Sequence, residues 1–403
     1  MANTRAYPVP SRDEDFEYED QSENEFDLKL SGTDFSTLIV APSDWTIESL
    51  SRQIGKQIDL DPAFQRRGVW NTKAKSAFVE SLFLNIPIPQ ILLAAKKADR
   101  NAFIVLDGKQ RLLTIREFLD GKHDSGKPFK LRDMRILSEL EGKTWEEVKP
   151  DQRLSDTFLN QTIRTAILRG WENEDVLFEI FQRLNSGSVK LSPMELRMSL
   201  HPGDFLKWVI RWTEQVRKLH GLLRLKGPDK RMADVELAVR FLAFKRRSAG
   251  YRGDLKAFLD TVSQEFNTQF SSSEFRSVIE LDLQEMEDAI AADVDIFGGH
   301  SCRKWKGGEY DTRFNRAVFD VQIGSLSDSR VRNWINSAAV NKKKFEEAFI
   351  DLSSADPDFV TSVETTTKSL AAVRKRFTAW YKAVGDVTGI ALQPPAIGDE
   401  APN

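Results

Sequence analysis

The sequence predicts an α+β domain followed by a mainly helical region. Short apolar runs alternate with amphipathic stretches up to about residue 204, and helical spacing of apolar residues dominates after it. An apolar run ending in Asp107-Gly108 passes at once into a basic, helix-forming stretch, which indicates a strand, a turn and a helix. With 403 residues, the chain is long enough for two domains that each bury a core.

Composition places the chain among soluble globular proteins of a reducing compartment. It is 40% hydrophobic and 30% charged, and no apolar run is long enough to span a bilayer. The N-terminus shows no basic segment followed by an apolar core, and the single Cys302 excludes an internal disulfide framework. We therefore expect a cytoplasmic protein that does not associate with membranes.

The N-terminal segment is unusually acidic between residues 13 and 27. We expect residues 1–43 to form an acidic, disordered or extended tail, because such a segment cannot bury enough apolar surface to fold. The basic stretch that begins at Gln65 leaves a second interpretation open. In that interpretation the tail covers a basic groove and competes with nucleic acid.

The predicted domain of residues 44–204 mixes helices and strands that are joined by short connections. Its expected elements are a helix over 45–56 capped near Ser43 or Asp44, a short strand at 58–60, a helix over 72–84, an extended turn at 86–89, a strand at 91–95, a strand ending at Leu106, and helices over 109–119 and 175–184. This mixed order is typical of an α+β domain.

The rest of the chain is predicted to be helical over residues 205–388. Apolar residues recur at three- and four-residue spacing, and the expected helices cover 205–219, 232–245, 255–266, 275–292 and 367–384. Paired prolines beyond Leu392 predict that residues 389–403 form a loose tail.

The Asp107-Gly108 turn has the features of an anion site. Asp107 is placed to accept from the first free amides of the following helix as its N-cap. Gly108 lets the backbone approach a ligand closely, and the helix start adds free N–H groups and the positive end of its dipole. Lys109 and Arg111 lie beside that start, so phosphate is the expected anion, although a plain structural turn has the same local pattern.

A second turn precedes another well-marked helix start. The turn formers at 185–188 begin with Asn185, and Ser192, Pro193 and Glu195 follow with the spacing of an N-cap, a first helical proline and a capping box. Capping explains Glu195 fully. Arg197 on the next turn has no such explanation and is a candidate for binding phosphate.

Several common catalytic signatures are missing from the sequence. The four histidines are not spaced like metal ligands, and neither a Walker A loop nor a Gly-x-Ser-x-Gly elbow occurs. The Arg, Lys, Asn, Asp, Glu and Gln residues near the two turns are instead suited to phosphates and a metal–nucleotide. Asp107 or Glu195 could hold Mg²⁺ directly or through water.

Four sequence blocks occur in the order seen in a known family. They are DPAFQRRGVW at 61–70, ESL at 80–82 with IPIP at 86–89, LDGKQRL at 106–112, and FQRLNSG at 181–187 with LSPMELR at 191–197. Together they resemble the "DGQQR" family, the N-terminal domain of GmrSD-type type IV restriction enzymes, which is related to the ParB/sulfiredoxin fold. The resemblance covers roughly residues 45–200. Within the first block, we expect Trp70 to pack in the core rather than stack on a base.

The resemblance implies that this motif binds and hydrolyses a nucleoside triphosphate (NTP). Catalytic roles then fall on Asp107, Gln110, Arg111 and the upstream Arg66. Nucleotide and phosphate binding falls on Gln65, Gly108, Lys109, Asn185 and Arg197, and Mg²⁺ binding on Asp107 and Glu195. Lys109 replaces the Gln that is usual in the family, which adds a charge suited to phosphate and removes an amide that could orient water.

The resemblance also implies a role in defence against phage, in which related proteins sense modified or foreign DNA. We therefore expect an NTP-binding and NTP-hydrolysing protein that senses or acts on DNA. One alternative is a ParB-like nuclease or nickase. Another is a non-catalytic nucleotide-binding module whose protein partner supplies the nuclease, since the His-based metal site of the GmrSD nuclease domain is not found in residues 205–403.

Overall fold

The fold has a small mixed sheet with helices in its N-terminal half and helices almost throughout its C-terminal half. A computed structural model describes residues 30–58, 60, 70–97, 99, 101–123, 126–172, 174–184, 192–229, 231–365 and 367–398. The predicted fold class, an α+β domain followed by a mainly helical region, is confirmed. A ParB/sulfiredoxin-like arrangement of the first domain stays a prediction.

The N-terminal half contains eleven named elements in its described residues. They are β1 (Ile39–Thr46), α1 (Ile47–Gln53), α2 (Thr72–Phe83), β2 (Ile91–Ala95), β3 (Phe103–Asp107), α3 (Lys109–Leu119), α4 (Trp145–Val148), α5 (Gln152–Leu159), β4 (Thr162–Arg169), α6 (Glu174–Leu184) and α7 (Pro193–Leu200). Short 3₁₀ turns lie at Gly32–Phe35 and Ser138–Leu140.

The sheet has the strand order β1-β4-β2-β3 and is covered on both faces. β2 and β4 are parallel, whereas β1–β4 and β2–β3 are antiparallel. Along β3, Phe103 and Val105 pack into the core beneath α1–α5, whereas Ile104 and Leu106 pack against α6 and α7. Burial on both faces explains why β3 is a continuous apolar run rather than an alternating one.

The first strand corrects the predicted start of the domain. β1 begins at Ile39 and pairs along its whole length with β4, so a boundary at residue 44 would cut through a strand. The expected helix over 45–56 is shortened to α1, and its N-cap is Thr46, not Ser43 or Asp44. Those two residues pair with β4 instead, because a strand partner distant in the sequence overrides the local capping signal. The acidic residues 13–27 lie outside the described residues.

The C-terminal half is built from ten further helices in the part of the chain that the structure describes. They are α8 (Asp204–Glu214), α9 (Lys218–Leu222), α10 (Ala233–Arg247), α11 (Leu255–Gln269), α12 (Ser273–Phe297), α13 (Arg316–Leu326), α14 (Ser329–Ser337), α15 (Ala339–Ala355), α16 (Pro357–Glu364) and α17 (Leu370–Thr388). A two-stranded hairpin, β5 (Trp305–Lys306) and β6 (Glu309–Tyr310), follows α12. These helices share one large apolar core.

Helix α7 belongs to both halves of the molecule. Met194 and Met198 lie one turn apart and pack into the core of the helical half, whereas Leu196 faces the sheet. Arg197 on the same helix bonds Asp260 of α11 across the boundary, with 2.6 Å between Nε and Oδ1. The position of α7, and hence of its start, is therefore fixed from two sides.

The C-terminal segment corrects the prediction of a loose tail from residue 389. Ile397 is buried, its carbonyl accepts from Arg374 Nε at 2.6 Å, and the N–H of Gly398 donates to the carbonyl of Ser248. One buried apolar side chain thus docks the described part of the segment despite its prolines. Residues 399–403 lie outside the description. No helix found in the described residues has the length and apolar character needed to cross a bilayer.

Candidate functional site

The turn between β3 and α3 requires glycine for its geometry and its packing. Gly108 has a φ of +95°, in the left-handed region that favours glycine. A Cβ at this position would lie 2.9 Å from Cγ1 of Ile91. The space beside Gly108 is therefore filled by Ile91, which corrects the expectation that the missing side chain makes room for a ligand.

Asp107 does not cap α3, contrary to the prediction. Its Oδ2 accepts from Arg111 Nη2 at 2.7 Å, four residues further on. The strand register is irregular between Leu92 and Leu93, so that Leu92 pairs with Asp107 and Leu93 with Val105. Such a bulge re-aims the residues at a strand end. The carboxylate is one-third exposed and lies beside the turn instead of over the helix start.

Arg111 is buried and ties the turn to the segment that precedes β2. Its Nη1 donates to the carbonyls of Pro89 and Gln90, in addition to the ion pair of Nη2 with Asp107. Only 9% of the side chain is exposed. This guanidinium holds the motif in place, so it is a positioning residue in the structure as described.

The first-turn amides of α3 receive no side-chain cap, because the N-cap position is a glycine. Gly108 carries no side chain that could accept from the first-turn amides, and its own carbonyl accepts from Leu112 N–H at 3.0 Å. The positive end of an eleven-residue helix and the side chain of Lys109 coincide here. We refer to Gly108–Arg111 as the open helix start.

Gln110 connects the open helix start to the first block of the resemblance. Its Oε1 accepts from the backbone N–H of Trp70, with a donor–acceptor distance of 3.4 Å. The ring of Trp70 packs edge-on against Phe78, with 5.6 Å between centroids, so its expected core role is confirmed. Gln65 and Arg66, from the same block, lie outside the described residues, as does Asn185.

Glu195 forms the predicted capping box at the start of α7. Its carboxylate accepts from Ser192 N–H at 2.6 Å, and Ser192 Oγ accepts from Glu195 N–H at 3.2 Å. Burial raises the pKa of this carboxyl to about 7, although the bond from Ser192 and the charges of Lys109 and Arg231 act in the opposite direction. Lys109 of the open helix start thus lies within electrostatic range of the start of α7.

Arg197, predicted to bind phosphate, serves the packing of the two halves in this structure. Its side chain is 1% exposed, and Nε bonds Asp260 at 2.6 Å. Lys256 bonds the same carboxylate and also Asp175 of α6, each at 2.9 Å. A role of Arg197 in phosphate binding stays a prediction that this geometry does not favour, because a buried and paired cation has little reach.

Sequence reasoning missed the groups that complete this site. The backbone carbonyls of Pro89 and Gln90 hold Arg111, and such acceptors leave no signal in side-chain patterns. Asp229 and Arg231 act on the charge of Glu195 from the loop before α10. A basic residue just before a predicted helix was the available signal for Arg231.

The described residues hold no group of three or more His, Cys, Asp or Glu side chains suited to a metal ion. Of the two predicted Mg²⁺ ligands, Asp107 keeps a partly exposed carboxylate and Glu195 is buried in its capping box. These residues therefore do not form a metal cage. A Mg²⁺ ion held mainly by a nucleotide's phosphates needs only one or two protein carboxylates, which Asp107 could supply.

Comparison with known proteins gives one match, to a family of restriction enzymes. Residues 47–202, from α1 to just past α7, match the family described as the GmrSD restriction endonuclease, N-terminal domain. The predicted resemblance to a GmrSD-type N-terminal domain is thus confirmed over these residues. No curated protein matches the chain. No solved structure matches it either.

Proposed function

We propose that this chain is a component of a restriction-like phage-defence system that acts on DNA. The family of its N-terminal domain supports that assignment. We further propose that it binds and hydrolyses a nucleoside triphosphate at the open helix start. The DNA-directed role and the nucleotide chemistry are separate parts of the proposal and are tested separately.

The observation that carries the nucleotide part is the open helix start itself. A helix start without a side-chain cap, preceded by a left-handed glycine and bearing Lys109, is a favourable place for a phosphate group. Three sequence blocks of the domain meet there, because Gln110 contacts Trp70 and Arg111 contacts Pro89. A structural turn alone does not require this convergence.

Each side chain then has a chemical role in the proposed site. Lys109 and the first-turn amides of α3 bind phosphate oxygens, while Arg111 holds the turn and its charge stabilises them from behind. Gln110 is suited to orienting the attacking water, as an amide can both donate and accept. A bound Mg²⁺ ion would supply charge neutralisation at the phosphates, and the partly exposed carboxylate of Asp107 would help to hold it.

A second candidate function is nucleotide binding without turnover. It is favoured by the engagement of Arg111, whose guanidinium already bonds one carboxylate and two carbonyls. An arginine held in this way steadies a turn but contributes less to a transition state than a free one. In that case the bound nucleotide is a signal, and a partner protein performs the chemistry on DNA.

Phosphate release from each of the four NTPs, with Mg²⁺ and with or without DNA, tests the proposal. The informative variant is Lys109→Ala, and Lys122→Ala near the opposite end of α3 is its control. We expect Lys109→Ala to raise KM roughly tenfold or more through the lost charge, and Lys122→Ala to match wild type. Nucleotide binding without phosphate release favours the second candidate. The absence of both binding and release in wild type refutes the nucleotide part of the proposal.

The nuclease alternative has its own outcome in the same experiment. Cleavage or nicking of DNA with Mg²⁺ that persists after all nucleotide is removed would assign the activity to a ParB-like nuclease. Our proposal expects no such cleavage in the absence of NTP.

A further inference from the structure

A loop between α3 and α4 is held in one conformation by side chains of α2. It is closed at its base by two backbone bonds, from Leu131 N–H to the carbonyl of Lys143 at 3.0 Å and from Gly142 N–H to the carbonyl of Leu131 at 2.9 Å. We call residues 132–137 the presented loop. It lies beyond the end of α3 that is opposite the open helix start.

Glu80 fixes the tip of the presented loop. Its buried carboxylate accepts from three consecutive backbone N–H groups, those of Arg135, Ile136 and Leu137, at 3.2, 2.8 and 2.9 Å. Burial alone would raise the pKa of this carboxyl, but the three donors outweigh it and the pKa lies below its usual value. Because hydrogen bonds to a charged acceptor are strong, the three bonds to Glu80 restrict the conformation of the loop tip.

Two further side chains fix the first part of the presented loop. Ser76, one turn before Glu80 on α2, accepts from the N–H of Arg132 at 2.9 Å. Glu141 accepts from the N–H of Met134, also at 2.9 Å. Five backbone donors of a six-residue loop are thus bound by side chains, so its conformation is formed before any partner arrives.

This rigid loop exposes an isoleucine together with two arginines. Ile136 is 64% exposed, whereas its neighbours Leu131 and Leu140 are fully buried. Arg132 and Arg135, which both precede Ile136 in the sequence, are also exposed, and the one acid of the loop, Asp133, is paired with Lys73 at 3.3 Å. Single exposed apolar residues are common, so the exposure matters here because the loop is rigid and basic.

The presented loop and the open helix start both contact the segment that carries α2. Trp70, just before α2, contacts Gln110 of the open helix start, and Lys73 in its first turn contacts the loop. A long anionic ligand bound at one of them is therefore close to the other along α2.

From these observations we propose that the presented loop is a DNA-binding wedge. Ile136 inserts between base pairs of duplex DNA, and Arg132 and Arg135 contact the flanking phosphates or the minor groove. Proteins that bend DNA combine an apolar wedge with basic neighbours in this way, and a prearranged loop lowers the entropic cost of insertion. The inference rests on the proposed function only in that the chain acts on DNA.

The test uses the full chain and a duplex of about 30 base pairs with 2-aminopurine beside a flexible TpA step. Wedge insertion unstacks the base and raises its fluorescence, while anisotropy reports binding. We expect Ile136→Ala to lose at least half of the fluorescence rise and roughly fivefold in affinity. The double variant Arg132→Gln/Arg135→Gln should reduce the salt slope of binding by about 2.

Two variants keep the result interpretable. Leu281→Ala removes an equally exposed apolar side chain (59%) from between Glu280 and Asp282, and it should match wild type. Glu80→Gln keeps the side-chain shape but weakens the grip on the loop, so it should reduce the fluorescence rise while Ile136 is still present. Thermal melting of each variant confirms that it is folded.

The outcomes separate this inference from the proposed function. Wild type that binds the duplex, with Ile136→Ala and the arginine double variant indistinguishable from it, overturns the wedge and leaves the DNA-directed function standing. Wild type that binds no duplex overturns both. A loss of binding to a protein partner with unchanged DNA binding would assign the presented loop to protein recognition and also overturn the wedge.

Discussion

The starts of α3 and α7, both in the N-terminal half, are capped in opposite ways. At the start of α7, Ser192 and Glu195 satisfy the free amides reciprocally and Pro193 removes one donor. At the start of α3, the cap is Gly108, and no side chain takes that role. The closed start serves packing between the two halves, whereas the open one has no side-chain cap over its first-turn amides.

The arginines that follow these starts repeat the contrast. Arg197 is paired across the boundary with Asp260 of the helical half, and Arg111 is paired within its own motif with Asp107. Similar residue types near a helix start therefore do not imply similar functions. The two arginines differ in their partners: Arg197 bonds a residue of the other half, whereas Arg111 bonds Asp107 of its own motif.

The largest effect is expected from breaking the pair that anchors α7. Asp260→Ala leaves Arg197 buried without its carboxylate and should lower the free energy of unfolding by about 3 to 5 kcal/mol. Urea unfolding measures this. The exposed pair of Lys218 and Asp288 offers a control, because Asp288→Ala should cost less than about 1 kcal/mol. Equal losses in the two variants would contradict a structural role for Arg197.

Replacing the glycine of the open helix start should have the next largest effect. Gly108→Ala combines a left-handed backbone with a Cβ placed 2.9 Å from Ile91, so we expect a loss of about 2 to 4 kcal/mol. Gly121→Ala is the matched control at the other end of α3. It also has a positive φ, of +70°, but open space around its Cβ, and should cost about 1 kcal/mol. A Gly108→Ala variant no worse than this control would show that Ile91 yields easily.

The start of α7 should contribute a pH dependence to the stability of the fold, through Glu195. Burial raises the pKa of Glu195 to about 7 from an ordinary 4.5, so the folded protein holds this proton more tightly than the unfolded chain does. The contribution of Glu195 to the free energy of unfolding should therefore fall by about 1 to 3 kcal/mol as the pH rises from about 4.5 to 7. Unfolding of Glu195→Gln over the same range should show a flatter profile. An unchanged profile would assign the pH dependence to other groups.

Local sequence signals predicted the parts of the fold that depend on local interactions. The bounds of α3, 109–119, were obtained from the glycine turn and helical spacing, and the capping box at Ser192 was read directly. Neither β1 nor β4 is predicted from the sequence, because each is stabilised by the other across a long sequence separation. Pro42, Ser43 and Asp44 made β1 look like a loop, and pairing overrode them.

The site was predictable in its residues and less so in their roles. Asp107, Gly108, Gln110 and Arg111 do lie together, but the capping rule assigned Asp107 to the helix start, and the structure pairs it with Arg111. The acceptors of Arg111 are carbonyls, whose positions only the tertiary fold determines. Arg197 looked available because its partner Asp260 lies in the other half of the chain.

The most direct test of the open helix start is equilibrium binding of a non-hydrolysable NTP analogue with Mg²⁺, measured by calorimetry. Lys109→Ala alters the open start, and Ser192→Ala removes the cap of the closed one at a cost of about 1 kcal/mol in stability. We predict that Lys109→Ala weakens binding roughly tenfold and that Ser192→Ala leaves the affinity of the folded protein unchanged. Binding lost in Ser192→Ala but kept in Lys109→Ala would place the nucleotide at α7 and contradict the account.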